Sequence, residues 1–298
     1  MESNANSQPQ VYETGEGRKV KLWYYPNNDQ EAPIAYFIHG AGGRSDQFRT
    51  LTPLFRENYS ILHFDFVGHG DSDKPPLGIE YYRAERIVED LLHVYNKHKQ
   101  NTRNIVICHS YGTALATMLY PSIKESVSAM IMIGTCKNMP GTARHPIIYL
   151  PVWALEWMRP MMRRPFINKA YHSKTRRNNT ELIEYEDNCS KGNTMHVMKN
   201  LAWGMKWPTT EEFEAVECPC LLIGGEEDLL TPVSEMDQVH QCIPSSELII
   251  APNSGHFPML ENVEATAECI ANFLLKNSLP PLNASEPKEI SVNEAASD

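Results

Sequence analysis

Ser110 stands between a short apolar run, Asn104-Ile-Val-Ile-Cys-His109, and a helical pattern that opens Tyr111-Gly-Thr-Ala-Leu115. A serine on a tight turn from a buried strand into a helix projects its hydroxyl above the C-terminal edge of a sheet. Strand and helix cross closely there, so small residues are needed two before and two after the serine. Gly112 meets that need, whereas Cys108 departs from the usual glycine and leaves less room. A serine hydroxyl is a weak nucleophile until a base takes its proton. His256, in Asn253-Ser-Gly-His-Phe257, follows the last strand-like run. Asp228, in Gly225-Glu-Glu-Asp-Leu-Leu-Thr-Pro232, follows the run before it. Nucleophile, acid and base in this chain order suit acyl transfer, with the carboxylate orienting the imidazole. Glu226 and Glu227 compete for the acid's role, and the Gly-x-x-Asp-x-x-x-Pro frame favours Asp228.

Acyl transfer also needs donors aimed at a developing oxyanion. His39-Gly40-Ala-Gly-Gly43 follows an apolar run, and its glycines let backbone approach a substrate closely. The backbone N–H groups of Ala41 and Tyr111 are the expected donors, and losing one such donor typically costs ~2.7–4 kcal/mol of transition-state stabilisation. Gly40 and His39 are expected beside the substrate, with His39 and His109 bracing loops rather than acting as bases. Asp65-Phe-Val-Gly-His-Gly-Asp-Ser72 suits a sharp turn next to the site. HExxH, GxxxxGK[ST] and GxGxxG are all missing, so neither a metal nor a cofactor is expected.

The elements that must hold these residues alternate as strand and helix, the signature of a mostly parallel α/β sheet. Strands are predicted at 20–25, 34–39, 60–66, 104–109, 127–134, 220–224 and 247–251. Helices are predicted at 46–56, 80–99, from 110 to 120, 234–242 and 261–276. Between about 137 and 213 the rhythm breaks, and the chain turns rich in Met, Trp, Tyr, Arg and Pro. A stretch this long is far beyond an ordinary loop and should carry its own helices. The expected organisation is a loose N-terminus (1–18), an α/β core (19–136 and 214–276), a helical cap (137–213) and a disordered acidic tail (277–298).

Four motifs in order, over roughly residues 20–276, make the chain resemble the α/β-hydrolase superfamily of serine hydrolases. FIHGAGG, DFVGHGDSDKP, CHSYGTALA and GHFPMLE make it most similar to the α/β-hydrolase domain-containing protein 8 group. That resemblance implies an α/β-hydrolase fold with a helical cap, and an intracellular serine hydrolase whose substrate is left open. Epoxide hydrolases and haloalkane dehalogenases of the superfamily carry Asp where Ser110 stands. A lipid acyltransferase branch carries His-x4-Asp where this chain reads His256-Phe-Pro-Met-Leu-Glu261, so water is the expected acyl acceptor.

The composition narrows the partners. The 298 residues carry 27 Lys and Arg against 37 Asp and Glu, a formal charge of −10, which argues against a general nucleic-acid binder. No apolar run reaches the roughly 18 residues of a membrane-spanning helix. Neither an export signal nor a myristoylation or CaaX motif is visible. The seven scattered cysteines then read as reduced thiols of a cytoplasmic protein.

The cap runs against the overall charge. Between Arg159 and Arg177 lie seven basic residues (Arg159, Arg163, Arg164, Lys169, Lys174, Arg176, Arg177) and no acidic one. Just before them come an apolar run at 147–155 and a Met- and aromatic-rich stretch containing Trp153 and Trp157, which are expected to bind the acyl group. Two readings follow: a cap resting peripherally on an anionic membrane, or a plain lid with a solvated basic face. The functional expectation is an esterase acting on a lipid or other apolar acyl ester through an acyl-enzyme on Ser110. A non-catalytic scaffold for protein interaction and a membrane-associated lipid acyltransferase are the alternatives.

Overall fold

Eight strands pair into one sheet: β1 (Gln10–Glu13), β2 (Lys19–Tyr25), β3 (Ile34–Ile38), β4 (Ser60–Asp65), β5 (Asn104–His109), β6 (Val127–Ile133), β7 (Cys220–Gly225) and β8 (Ser246–Ala251). This is a computed structural model, and it describes residues 9–14, 17–75, 78–101, 103–138 and 146–283. The strands lie in the order β1-β2-β4-β3-β5-β6-β7-β8. The β1–β2 and β2–β4 pairs are antiparallel, and all others are parallel. Every residue of β3, β4, β5 and β7 is buried, which is why these strands read as unbroken apolar runs.

Core helices cover both faces. They are α1 (Thr52–Phe55), α2 (Ala84–His98) and α3 (Tyr111–Ile123) before the cap. The cap contributes α4 (Val152–Ala170), α5 (Ser173–Asn178), α6 (Thr180–Lys191) and α7 (Met195–Gly204). The core resumes with α8 (Thr210–Glu214), α9 (Val233–Cys242), α10 (Pro258–Glu261) and α11 (Val263–Lys276). Alternate strand residues feed two cores. Tyr36, Val106, Met130 and Leu222 pack with Leu91, Leu119 and Val239 on one face. Phe37, Ile107, Ile131 and Leu221 pack with Phe55, Ile270 and Phe273 on the other.

In register, Ile38 lies beside Cys108, His109 beside Ile133, and Ile133 beside Ile223. The parallel strands therefore end together at one edge, and the loops leaving them converge there. A ligand site in an open α/β sheet forms at this edge.

Several expectations are corrected. Residues 10–13, set aside as loose, form β1 and pair with Lys19–Leu22 of β2. The start of the expected disordered tail docks on the core: Tyr59 Oη donates to the Pro280 carbonyl at 2.7 Å and Asn283 N to that of Leu54 at 2.7 Å. The rest of both expected loose ends, residues 1–8, 15, 16 and 284–298, lies outside the described residues, as do 139–145 of the cap. The helix expected over 46–56 breaks into a 3-10 turn (Ser45–Phe48) and α1, because Pro53 in the first turn of α1 lacks the N–H that a continuing helix would need. The last helix splits at Asn262, whose side chain accepts from Ala265 N and caps α11.

Candidate active site

Ser110 is the junction between β5 and α3, with φ 52 and ψ −124. A non-glycine residue held at positive φ stores of order 1–3 kcal/mol of strain, kept only where its surroundings enforce it. Here Ser110 N donates to the Ile133 carbonyl at 2.8 Å, and the Ser110 carbonyl accepts from Thr113 N and Thr113 Oγ1. Gly112 is required by the crossing: a Cβ there would lie 2.4 Å from the Ile38 carbonyl oxygen and 2.6 Å from that of His39. Cys108 does not disturb the turn. It points into the core, where Sγ donates to the Ile131 carbonyl.

Asp228 leaves β7 and His256 leaves β8, the two strands at the far edge of the sheet. Asp228 Oδ1 accepts from Leu230 N at 2.8 Å and Thr231 N at 2.9 Å. Its Oδ2 accepts from Thr231 Oγ1 at 2.6 Å and from His256 Nδ1 at 2.8 Å. Burial opposes the charge on Asp228, but the attraction of His256 and these hydrogen bonds outweigh it and hold the carboxyl below its ordinary range. With Nδ1 donating to Asp228, Nε2 of the neutral imidazole is the nitrogen able to accept a proton. The ring is further fixed through its backbone: His256 N donates to the Ala170 carbonyl, and His109 Nε2 donates to the His256 carbonyl at 2.9 Å. Among the described residues the Ser110 hydroxyl makes no hydrogen bond. In enzymes without bound substrate, contacts between nucleophile and base are often long or poorly aligned.

The glycine loop is braced from three sides. Gly40 N donates to Gln47 Oε1, Gly42 N to His69 Nε2 at 3.0 Å, and Asn193 Nδ2, from the cap, to the Gly42 carbonyl at 2.7 Å. Asp65 accepts from Ser45 N and Asp71 N, tying this loop to the turn after β4. Ala41 N and Tyr111 N have no hydrogen-bond acceptor among the described residues. Gly40 packs tightly beside the serine, since a Cβ on it would meet Ser110 Cβ at 2.9 Å.

Four residues expected beside the substrate, His39, Gly40, Trp153 and Trp157, are not on the wall of the cavity under the cap. His39 is fully buried, stacks on Phe66, donates from Nδ1 to the Gly40 carbonyl and accepts at Nε2 from Phe66 N. Burial pushes it down to about 3, so it stays neutral as a brace. Gly40 is likewise buried as a spacer. Trp153 and Trp157 are 74% and 76% exposed on the outer side of α4 and do not line the cavity.

That cavity, about 270 Å³, lies between the glycine loop and the cap. Met162, Phe166, Ile167, Ile183 and Met198 line it, together with Ala41 and Phe257. Ser110 and His256 are not on its wall, although Phe257, the residue after His256, and Ala41 of the glycine loop are. Polar contacts lock the cap in place. Arg49 Nη1 meets Glu186 at 2.6 Å, and Tyr185 Oη donates to Asp46 Oδ2 at 2.8 Å. Glu227 Oε2 accepts from Ser173 N at 2.7 Å, and Glu261 Oε2 from His172 N at 2.9 Å. Glu227 is therefore a cap anchor, and Glu226 holds Asn253 N. Thr231, which contacts both Asp228 and His256, went unpredicted, although a threonine three residues after an aspartate is a common side-chain-to-backbone turn.

The model of the family described as "Alpha/beta hydrolase family" matches residues 35–269. Protein ABHD8 of Homo sapiens is 28% identical over 254 residues, which are 81% of this chain and 55% of that protein. The chain thus spans about half the length of the curated relatives it matches. An esterase (EaEST) from Exiguobacterium antarcticum superposes with a TM-score of 0.77 at 18% identity, covering 90% of this chain and 100% of that one. The enol-lactonase from Burkholderia xenovorans LB400 gives 0.78 at 14% identity, covering 89% and 100%. At these identities the two structures establish a shared fold.

Proposed function

From the premise that this chain belongs to the alpha/beta hydrolase family, we propose that it is a serine hydrolase cleaving a carboxylic ester with an apolar acyl group. The observation that carries this reading is the 2.8 Å Asp228–His256 pair, set at the same sheet edge as a serine held at φ 52. In the proposed reaction Ser110 Oγ attacks the ester carbonyl while His256 Nε2 takes its proton. Ala41 N–H and Tyr111 N–H receive the oxyanion. The tetrahedral centre collapses, the C–O bond to the alcohol breaks, and His256 returns the proton to the departing oxygen. Water then attacks the acyl-enzyme by the same route and frees the acid.

The apolar acyl group is inferred from the cavity. Its methionines adapt to flexible chains, and Ala41, whose N–H would donate to the oxyanion, is on its wall. Proteins of similar fold named as an esterase and an enol-lactonase agree with ester chemistry.

The test is a fluorophosphonate probe, which reacts only with an activated serine, together with hydrolysis of p-nitrophenyl butyrate. Wild type should label and turn over. Ser110→Ala should do neither, with turnover falling by on the order of 10⁶-fold. Equal labelling of both proteins would remove Ser110 as nucleophile. A folded wild type that neither labels nor hydrolyses any ester would favour the scaffold reading.

A further inference from the structure

Helix α4 has two apolar faces, and only one of them is used by the fold. At about 100° per residue, Trp153, Trp157, Met161 and Arg164 fall within an arc of about 80°. Leu155, Met162 and Phe166 lie on the opposite side, where Leu155 is buried and Met162 and Phe166 line the cavity. The outer face is bare: Met161 is 65% exposed, beside the two tryptophans, and Tyr149 just before the helix is 58% exposed. Exposed tryptophans in a row are rare on a solvated lid, and a contiguous apolar patch rimmed by polar residues marks an interaction site.

The charges around this ridge indicate the partner. Of the seven basic residues from 159 to 177, Arg163 pairs with Asp187 at 2.8 Å, and Arg159 contacts Glu156 and the Ser190 carbonyl. Arg176 bonds Asn168. The remaining four, Arg164, Lys169, Lys174 and Arg177, are exposed and have no partner among the described residues. A protein of net charge −10 thus presents one unpaired cation, Arg164, on the tryptophan arc itself, and three more, Lys169, Lys174 and Arg177, at the end of α4 and on α5. Aromatic rings at the headgroup level with Lys and Arg beside them are the chemistry of an interfacial helix. Among the described residues no helix is long and apolar enough to cross a membrane.

We infer that the outer face of α4 docks on an anionic lipid bilayer, with Trp153, Trp157 and Met161 entering the headgroup layer, Arg164 on the same arc meeting lipid phosphates and carboxylates, and the unpaired Lys169, Lys174 and Arg177 adding longer-range attraction. Because the inner face of the same helix walls the cavity, α4 then lies between the bilayer and the cavity. The docking does not rest on the hydrolase reading.

The experiment uses the full chain with vesicles of phosphatidylcholine alone or with 30% phosphatidylserine, at low and high salt. Wild type should co-sediment at least tenfold better with the anionic vesicles, and salt should erase most of the difference. The variant Arg164→Gln/Lys169→Gln/Lys174→Gln/Arg177→Gln should lose that preference. The variant Trp153→Ala/Trp157→Ala should bind at least tenfold less to anionic vesicles. Both should hydrolyse soluble p-nitrophenyl butyrate as wild type does, which keeps a failure of docking separate from a failure of catalysis. Equal sedimentation with both vesicle types, or of variants and wild type, would overturn the inference. So would a dimer that Trp153→Ala dissociates in a protein that ignores vesicles, because the ridge would then be an interface between copies.

Discussion

Replacing Asp228 by Asn changes one oxygen for an NH₂ group, and the structure dictates which way the amide must sit. Both carboxylate oxygens are acceptors: Oδ1 takes Leu230 N and Thr231 N, and Oδ2 takes Thr231 Oγ1 and His256 Nδ1. If the asparagine turned its NH₂ toward Leu230 and Thr231, it would set donors against two fixed backbone N–H groups. Each buried donor left unpaired costs about 1–3 kcal/mol. The amide oxygen therefore stays on those two N–H groups, and the NH₂ faces Thr231 Oγ1 and His256 Nδ1. The threonine hydroxyl can rotate to accept. The imidazole can accept at Nδ1 only by moving its proton to Nε2, the nitrogen that must take the proton of Ser110. The enzyme keeps its fold and loses its base, and a wrong tautomer costs about 10⁴-fold in turnover, or about 5.5 kcal/mol of barrier. The folding loss is that of one charge-assisted bond, about 1–3 kcal/mol, so melting should drop by less than about 10 °C. The assay is p-nitrophenyl butyrate hydrolysis at 25 °C beside thermal melts. Glu226→Gln serves as control, since that side chain only holds Asn253 N at the surface. An Asp228→Asn enzyme keeping a tenth of wild-type turnover would refute the tautomer argument, and an inactive Glu226→Gln would move the acid elsewhere.

Three further outcomes follow from single contacts. Glu227→Gln should leave turnover of a short soluble ester near wild type while raising KM several-fold for long-chain esters, because it loosens the Ser173 anchor of the cap; steady-state kinetics on a chain-length series would show it. Gly112→Ala should lower the melting temperature by an amount matching about 1–3 kcal/mol, since its methyl group meets the backbone of residues 38 and 39 rather than a movable side chain; an unchanged melt would mean that the crossing is not tight. His63 is buried, is stacked on Trp23, and burial pushes it down to about 4 against about 6.5 in an unfolded chain. A folded state that resists a proton the unfolded state accepts loses stability as pH falls below the unfolded value. His63→Phe should thus gain about 2 kcal/mol relative to wild type between pH 7.5 and 5, read from urea midpoints, and a constant difference would contradict the shift.

The parts of the site at strand ends were legible in the sequence because two independent signals coincide there. An unbroken apolar run marks a buried parallel strand, and the polar and glycine residues that end it mark the loop at the sheet edge. Ser110 and Asp228 follow such a run, His256 follows the apolar end of the partly exposed edge strand β8, and the parallel register then brings their loops to one edge. β1 escaped notice for the opposite reason. Its residues are mostly exposed on an edge strand, so backbone pairing and not side-chain burial defines it. The phase of α4 was also hidden. Apolar residues occur on both of its sides, and Pro160 and Pro165 interrupt the pattern, so nothing in the spacing separates Trp157, which faces outward, from Met162, which faces the cavity.

The cap was the least legible part because, beside the apolar packing of Ala170, Tyr171, Ile183, Val197 and Leu201, it is held by polar contacts between residues far apart in sequence. Arg49 reaches Glu186, Asp46 accepts from Tyr185, Glu227 holds Ser173, and Glu261 holds the backbone of His172. Such contacts leave no period in the sequence. Each member read alone is an ordinary charged or polar residue of a loop or helix. Glu261 shows the consequence. In the chain it looks like a conservative stand-in for an aspartate in a His-x4-Asp frame. In the fold one of its oxygens accepts from Gly255 N, beside His256, while the other holds the cap. Burial raises its carboxyl above the ordinary range, against the pull of hydrogen bonds from Thr175 and from the backbone of His172, Gly255 and Phe257. The loop that carries the proposed base and the first turn of α5 are thus tied to one carboxylate.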